Sequence, residues 1–338
     1  MTKIAILGAG SWGTALAAVL SRTKKAHAIS LWARNAPLAA AMERQRENTA
    51  YLPGVSLPAA IHVTHELPGA MAQARLIVGA MPSVHAREIY ARTLPFVTPE
   101  MIFVSATKGL EPSTHLRMSK VLEQVLVQGS LVAASQHIAV LSGPSFAAEA
   151  ARGEPTAVVL ASQDAALAAE LQEEFAGPTF RLYTNDDVLG VELAGAMKNV
   201  MAIAAGACQG LGLGSNPLAA LITRGLAEMT RLAVALRARP ETLSGLAGLG
   251  DLVLTCTGAL SRNRHVGIEL GKGRRLNEIL GNMRMVAEGV ETAAPLLALA
   301  REHQIDLPIT EQVDAILHQG KSPRDAIRDI MERPLKRE

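Results

Sequence analysis

The sequence predicts an α/β protein in which a doubly wound, mostly parallel sheet is followed by an all-helical domain. Up to about residue 187, short β-rich apolar runs alternate with helical stretches, whereas no strong strand pattern follows. The length of 338 residues also corresponds to about two domains of about 150 residues each. We therefore expect a first domain at residues 1–188 and a helical domain at residues 189–338.

Seven short runs are the candidate strands, and several are apolar at consecutive positions, which is typical of strands covered on both faces. They lie at residues 3–7, 28–32, 76–81, 101–107, 137–142, 157–161 and 180–184. In the second half, periodicity and proline placement predict helices instead. These helices lie at residues 190–207, 217–239, 276–280, 292–303, 311–319 and 323–331.

The composition excludes several classes of protein. Apolar residues make up 49% and charged residues 19% of the chain, which excludes a disordered or collagen-like protein. The formal charge of +2 offers no basic surface for nucleic acid or an anionic membrane. Cys208 and Cys256 form no CxxC motif and no His–Cys cluster, so no metal site is predicted.

Two further features favour a soluble protein of the reducing cytoplasm. The amino-terminal apolar run reaches Gly8 too soon for a signal peptide. The most apolar long window, at residues 189–207, contains Glu192 and Lys198, which argues against a membrane span.

A glycine-rich loop, GAGSWG at residues 8–13, follows the first predicted strand and precedes a predicted helix at residues 14–21. Gly8 would permit the tight turn, Gly10 would let the backbone approach a pyrophosphate, and Gly13 would allow close helix–strand packing. The helix amino terminus would then face the phosphates. This context favours a Rossmann-type, dinucleotide-binding domain over a glycine turn without ligand.

The residues after the second predicted strand bear on the choice of cofactor. A site for NAD would carry Asp or Glu there to bind the ribose hydroxyls, but the sequence reads LWARN at 31–35 and has no acid until Glu43. Arg34 could pair with a 2′-phosphate through two hydrogen bonds; the alternative is a solvated surface arginine. The sequence therefore favours NADP over NAD.

Lys198 and Asn199 are polar residues in the middle of an apolar helical stretch. Lysine is rarely buried without a partner. Lys198 therefore either extends its stem past apolar neighbours to solvent or faces a polar cleft beside the first domain.

A second polar cluster follows the glycines at 248 and 250. Asp251 after this turn could orient a lysine or a hydroxyl. Ser261, Arg262 and Asn263 together offer hydrogen-bond donors suited to phosphate oxygens. Each stretch alone also fits an ordinary loop and helix cap.

Two loops end predicted strands of the first domain, ATKG at 106–109 and SGPSF at 142–146. In open α/β sheets, ligands bind beyond the carboxyl ends of the strands. Lys108 is therefore placed to meet a substrate, although an ordinary surface lysine would look the same.

Taken in order, these segments resemble the bacterial NAD(P)-dependent glycerol-3-phosphate dehydrogenases, from residue 4 to about residue 330. The resemblance rests on GAGSWGTALA, LWARN, ATKGLE, LSGPSFAAEAARGEPTAVVLAS, GVELAGAMKNVMAIAAG, ALITRGLAEM, GLAGLGDLVLTCTGALSRNRHVG and VAEGVETA. It implies an oxidoreductase that interconverts dihydroxyacetone phosphate and sn-glycerol 3-phosphate with NADP or NAD, and so supplies the phospholipid backbone.

The resemblance also implies roles for individual residues. The implied cofactor contacts are Ser11, Trp12, Arg34, Lys108, Ala147, Arg262, Val286 and Glu288. The implied substrate contacts are Lys108, Gly143, Ser145, Lys198, Asp251, Ser261, Arg262 and Asn263. Lys198 corresponds to the proton acceptor, and Lys108 and Asp251 are the other catalytic candidates.

The chemistry needs such a proton-transfer group, because hydride transfer leaves an alkoxide-like oxygen and the cofactor cannot supply its proton. A closed, partly apolar cleft near Lys108 would lower the pKa of Lys198, whereas Asp251 and the substrate phosphate would raise it.

Two other functions share parts of this pattern. A dehydrogenase acting on a β-hydroxyacid would share the fold but would hold a carboxylate in place of a phosphate. A dinucleotide sensor without enzymatic activity would need the glycine loop but not Lys198. The sequence leaves both a monomer and a homodimer open.

Overall fold

The computed structural model describes residues 1–335 and 337. The chain forms two compact units. The first, called here the sheet unit, comprises Met1–Glu111 and Leu116–Glu192. The second, called here the helical unit, comprises Pro112–His115 and the chain from Leu193 onwards.

The domain limits at 1–188 and 189–338 stay a prediction. The two compact units part four residues later, between Glu192 and Leu193. Lys336 and Glu338, which belong to the predicted second domain, lie outside the described residues.

The sheet unit contains the strands of the described chain. They are β1 (Thr2–Leu7), β2 (His27–Trp32), β3 (Glu47–Asn48), β4 (Leu52–Ser56), β5 (Ile61–Thr64), β6 (Leu76–Gly79), β7 (Ile102–Ser105), β8 (Ile138–Ser142), β9 (Thr156–Ala161) and β10 (Phe180–Asn185). Eight of them form one sheet in the order β10-β9-β8-β7-β6-β1-β2-β5, and β3 pairs with β4 in a separate hairpin. Neighbours in the large sheet run parallel except β8 and β9, which are antiparallel.

The sequence predicted this sheet well because its central strands are apolar on both faces. All four residues of β6 and all four of β7 are buried. The seven predicted strands are confirmed as β1, β2 and β6 to β10. The prediction missed β3, β4 and β5, because β3 has two residues, β4 contains Pro53 and Gly54, and β5 has only two buried residues.

Helices cover the sheet and form all the regular structure described in the helical unit. Those that begin in the sheet unit are α1 (Ser11–Leu20), α2 (Ala36–Gln45), α3 (Leu67–Met71), α4 (Ala86–Thr93), α5 (Met118–Gln128), α6 (Val132–Ser135), α7 (Ala147–Arg152), α8 (Ala165–Phe175) and α9 (Val188–Gly210). The helical unit continues with α10 (Ser215–Ala235), α11 (Pro240–Ser244), α12 (Asp251–Thr257), α13 (Arg262–Gly271), α14 (Leu276–Gly281), α15 (Glu288–Glu302), α16 (Pro308–His318) and α17 (Pro323–Met331). The predicted α/β class with a helical second half is thus confirmed.

Helix α9 is long and apolar enough to cross a membrane, as judged by length and composition alone. Its most apolar window has a mean hydropathy of 1.4, but 83% of that window is buried inside the protein. Such burial is typical of a core helix, which is the role that α9 has in the helical unit.

The glycine-rich segment before Asp251 corrects the sequence analysis, which expected a loop. Leu246–Gly250 forms one turn of π-helix, and α12 begins directly at Asp251. The compact turn depends on Gly248, because an added Cβ there would overlap the Leu243 carbonyl group. Glycine composition alone suggested an irregular turn and concealed this tight packing.

Glu228 joins two helices of the helical unit. Its fully buried carboxylate on α10 accepts hydrogen bonds from the backbone nitrogens of Ile309 (2.8 Å) and Thr310 (2.9 Å), and from Thr310 Oγ1 (2.6 Å). These nitrogens belong to the first turn of α16, where no preceding carbonyl is available to accept them. Glu228 therefore caps α16 from a neighbouring helix.

We predict that Glu228→Ala lowers the free energy of unfolding by about 3 kcal/mol, because three buried donors lose their acceptor. The measurement is urea unfolding followed by circular dichroism. Glu302→Ala is the matched control, since Glu302 is an exposed glutamate on another helix of this unit. Equal unfolding midpoints for the two variants would contradict the capping role.

Candidate functional site

The carboxyl edge of the parallel strands gathers the predicted site residues of the sheet unit. Strands β2, β1, β6, β7 and β8 are consecutive neighbours and run parallel, so the segments that follow them leave from one edge. These segments carry Arg34, the glycine loop, Lys108 and Gly143. This edge is where open α/β sheets bind ligands.

The glycine loop has the geometry of a backbone cradle. Gly8 has φ +116°, and an added Cβ would lie 2.9 Å from the Ala80 carbonyl group. A Cβ on Gly13 would overlap the Gly8 carbonyl oxygen, whereas a Cβ on Gly10 would meet nothing within 4 Å. Gly10 is the N-cap of α1 and brings no side chain to that helix end. The loop thus packs tightly on its protein side and stays open at Gly10, which fits a bound pyrophosphate.

Trp12 and Ala147 pack against the same small apolar cluster of the sheet unit, which includes Ala15 and Leu52. Trp12 is half-buried, and its buried indole Nε1 has no hydrogen-bond partner in the described structure. A buried indole N–H usually has a partner. The structure therefore brings these two predicted cofactor contacts together. The unsatisfied hydrogen-bond donor is the indole N–H of Trp12 itself.

Arg34 is exposed and follows β2 directly. Within the described residues it makes no hydrogen bond or ion pair. The next acid along the chain, Glu43, is engaged elsewhere, since its Oε2 accepts from Arg46 (2.9 Å) and from the Val63 backbone nitrogen (2.8 Å). The segment that follows β2 thus carries a cation and has no acidic residue before Glu43.

Lys108 and Ser145 converge on the carbonyl oxygen of Gly143. The Lys108 ammonium donates to it at 2.9 Å, and Ser145 Oγ donates to it at 2.9 Å. Gly143 has φ +126°, and an added Cβ would approach the Val158 Cα to 3.1 Å. The structure therefore unites the three predicted substrate contacts of the sheet unit, and both side chains are only partly buried.

Lys198 is buried in α9 and bound by two residues of α12. Its side chain is 8% exposed, and Nζ donates to Asp251 Oδ1 at 2.7 Å and to Thr255 Oγ1 at 2.8 Å. Thr255 Oγ1 in turn donates to the Asp251 backbone carbonyl at 2.6 Å. The side chain thus forms an ion pair inside the protein and does not extend to solvent.

Sequence reasoning missed Thr255, although the signal was present. Thr255 lies four residues after Asp251, so both face the same side of α12. It also missed that Asn199 binds Asn263, because the two are 64 residues apart in the chain.

The amide of Asn263 connects three helices. Its Nδ2 donates to Asn199 Oδ1 at 2.9 Å, and its Oδ1 accepts from the Gly289 backbone nitrogen at 2.9 Å. Ser261 caps α13, since its Oγ accepts from the Arg264 backbone nitrogen at 3.2 Å. The cap interpretation therefore holds for Ser261, while Asn263 ties α13 to α9 and α15.

Arg262 begins α13 and is exposed. Neighbouring protein atoms partly desolvate this exposed guanidinium and lower its pKa, and the Glu288 carboxylate partly opposes that shift. Glu288 begins α15, and Val286, two residues earlier, is 38% exposed. Arg262 and Glu288 are therefore near enough for their charges to interact.

No group of three or more His, Cys, Asp or Glu side chains suited to a metal ion occurs in the part of the chain that the structure describes. The two cysteines are reduced thiols, and burial raises the pKa of Cys256 to about 12. Neither thiol is poised to act as a nucleophile.

Comparison with known proteins covers nearly the whole chain. Residues 3–168 match the family model of the NAD-dependent glycerol-3-phosphate dehydrogenase N-terminus, and residues 187–328 match that of the C-terminus. The chain is 54% identical over 335 residues to a glycerol-3-phosphate dehydrogenase [NAD(P)+] of Koribacter versatilis, with 99% of this chain and 98% of the relative covered. It is 52% identical over 338 residues to the protein of that name from Acidobacterium capsulatum, with 99% of each covered.

A solved structure is similar over the same extent. The crystal structure of glycerol-3-phosphate dehydrogenase from Coxiella burnetii matches with a TM-score of 0.92 and 41% identity, covering 98% of this chain and 99% of that chain.

Proposed function

The chain belongs to the NAD-dependent glycerol-3-phosphate dehydrogenase family, and we propose that Lys198, held by Asp251 and Thr255, transfers the proton in its reaction. The protein is an NAD(P)-dependent oxidoreductase that interconverts sn-glycerol 3-phosphate and dihydroxyacetone phosphate. Family membership argues against a β-hydroxyacid dehydrogenase and against a sensor without activity.

The buried ion pair of Lys198 and Asp251 is the observation that carries the proposal. A bound nicotinamide cofactor supplies or accepts the hydride. Lys198 donates a proton to the substrate oxygen during reduction of the ketone and removes it during oxidation of the alcohol. The carboxylate of Asp251, 2.7 Å from Nζ, orients the ammonium, and Lys108 adds positive charge that stabilises the developing alkoxide.

We propose cofactor contacts in the sheet unit, and the sequence resemblance to the family implies Arg262, Val286 and Glu288 as further contacts. The backbone of Gly8, Gly10 and Gly13 and the start of α1 would hold the pyrophosphate. Ser11, Trp12, Lys108 and Ala147 are further proposed contacts. Arg34 would bind the 2′-phosphate of NADP, which makes NADP the favoured cofactor.

The substrate phosphate is assigned to Arg262 and Asn263, with Ser261, Gly143 and Ser145 as further contacts. Arg262 supplies the positive charge and a planar set of donors. One N–H of the Asn263 side chain binds Asn199, and an amide nitrogen has a second N–H to offer.

Three broader statements complete the proposal. The product glycerol 3-phosphate would supply phospholipid synthesis, the enzyme would act in the cytoplasm, and a homodimer is the proposed assembly. The role in phospholipid synthesis follows from the sequence resemblance to the family.

We predict that Lys198→Met lowers kcat by about 10²–10⁴-fold, the usual contribution of general acid–base catalysis, and that the pH profile loses the limb set by this group. The NADPH Kd should stay unchanged. Retention of more than about a tenth of wild-type kcat with an unchanged pH profile would contradict the role and make Lys108 the first candidate.

Removal of the Lys198 ammonium also leaves Asp251 buried without its cation, which typically costs about 3–5 kcal/mol of stability. The matched control is therefore the double variant Lys198→Met/Asp251→Asn, in which the unpaired charge is removed. It should regain stability in thermal unfolding but not activity. Regained activity would mean that Lys198 acts only through folding.

We predict that Arg34→Ala weakens NADPH binding by about 1.5–3 kcal/mol, the contribution of charged hydrogen bonds, and barely changes NADH binding. Both Kd values follow from titration of the protein by nicotinamide fluorescence. Arg44→Ala is the control, because Arg44 is another exposed arginine in the following helix. Equal losses for both cofactors would remove Arg34 from the 2′-phosphate site.

We predict that Arg262→Ala raises the KM for dihydroxyacetone phosphate by about tenfold or more, since a charged hydrogen bond is lost. The measurement is made at saturating NADPH, because Arg262 is also a proposed cofactor contact. Inorganic phosphate should compete with the substrate in the wild type and much less in the variant. The control is Arg275→Ala, at another exposed arginine of the helical unit, which should keep the wild-type KM. An unchanged KM in Arg262→Ala would exclude Arg262 from the phosphate site.

A further inference from the structure

Asn48 is a fully buried side chain that the proposed function does not use. It lies in β3 of the small hairpin, which sequence analysis did not identify. Its Nδ2 donates to the Ala9 carbonyl oxygen at 2.9 Å and to Thr14 Oγ1 at 2.8 Å. Its Oδ1 accepts from the Tyr51 backbone nitrogen at 3.1 Å. Both N–H groups of the amide are therefore committed to the glycine loop and α1.

The two acceptors of Asn48 lie on either side of the part of the loop that would face a pyrophosphate. Ala9 precedes Gly10, and Thr14 follows Gly13 in the first turn of α1. The amide is planar and rigid, so it sets the distance between these two points. From these contacts we propose that Asn48 is a positioning residue for the pyrophosphate-binding loop, an inference that rests on the proposed cofactor site.

The loop needs an external support because glycines do not hold their own conformation. Gly10 has no Cβ that would restrict it, and its surroundings are open. A flexible glycine loop loses conformational entropy when a ligand orders it. Hydrogen bonds that order the loop beforehand remove that cost from binding.

The hairpin itself is anchored firmly enough to act as a support. Arg46, just before β3, donates to the carbonyl oxygens of Pro58 and Ile61, each at 2.6 Å. Glu47 Oε1 accepts from the Gly54 backbone nitrogen at 2.8 Å. Leu52 of β4 packs in one apolar cluster with Ala15 of α1. The hairpin thus holds Asn48 in place while the Asn48 side chain binds the glycine loop and α1.

The test compares Asn48→Ala with the wild type, using ADP as a pyrophosphate probe and adenosine as a probe without phosphate. We expect the Kd of ADP to rise by about 5- to 100-fold, the range that corresponds to the loss of two buried hydrogen bonds. The Kd of adenosine and the KM for dihydroxyacetone phosphate at saturating NADPH should change by less than about twofold, since neither depends on the loop bonds.

Two further variants separate positioning from a general loss of stability. Thr93→Val removes another buried hydrogen bond of the sheet unit, from Thr93 Oγ1 to the Tyr90 carbonyl oxygen, and should leave the Kd of ADP unchanged. Thr14→Val removes one of the two Asn48 acceptors and should raise the Kd of ADP by a smaller factor than Asn48→Ala. It serves as the decisive variant if Asn48→Ala does not fold.

The possible failures differ from one another. If the wild type binds ADP and both Asn48→Ala and Thr14→Val bind it equally well, the positioning role is wrong and the proposed function stands. If ADP and adenosine lose affinity equally, Asn48 supports the whole domain and not the loop. If the wild type does not bind ADP or NADPH, the cofactor site and the inference both fail.

Discussion

The burial of the Lys198 ammonium is the constraint on which the helical unit depends. An unpaired charge inside a protein costs several kcal/mol, so α12 must bring Asp251 and Thr255 against α9 with close geometry. The neighbouring helix α13 approaches α9 closely, because an added Cβ on Gly206 would overlap the Arg264 carbonyl oxygen, and one on Gly267 would overlap that of Ile203. These glycines place Asn263 within hydrogen-bonding distance of Asn199. The contact between Asn199 and Asn263 therefore exists because small residues allow the backbones of α9 and α13 to meet.

The constraint on the sheet unit is different. Its glycine loop must expose backbone groups at a place where side chains would block a ligand. Gly8 and Gly13 leave no space for a Cβ, and the open position at Gly10 exposes the start of α1. The conformation of such a loop is fixed by the residues around it. Asn48, in the separate hairpin, contributes a hydrogen bond to the Ala9 carbonyl oxygen. Charge plays a smaller part here than in the helical unit, since Arg34 is exposed and solvent screens its interactions.

Sequence analysis predicted the features that local residue patterns determine. It missed the features that depend on contacts between residues far apart in the chain. Consecutive apolar residues predicted β6 and β7, and a lysine in an apolar helix left two alternatives, a stem extended to solvent or a polar partner in a cleft. The resemblance to the family suggested Asp251 as that partner, and the 2.7 Å contact fits this suggestion. Thr255 could have been found from its spacing to Asp251. Asn48 could not, because a single asparagine in a polar segment carries no pattern that points to residues 9 and 14.

The geometry around Lys198 also bears on the proposed proton transfer. An alkoxide is a far stronger base than an amine, so transfer from the ammonium to the developing alkoxide is favourable. In the proposed reaction the transfer neutralises Lys198 Nζ, which lies 2.7 Å from Asp251 Oδ1. Thr255 Oγ1 lies 3.3 Å from Asp251 Oδ1, so its hydroxyl can turn from the backbone carbonyl to the carboxylate and donate to it. In the proposed mechanism, Thr255 would then donate a hydrogen bond to Asp251 until Lys198 regains a proton.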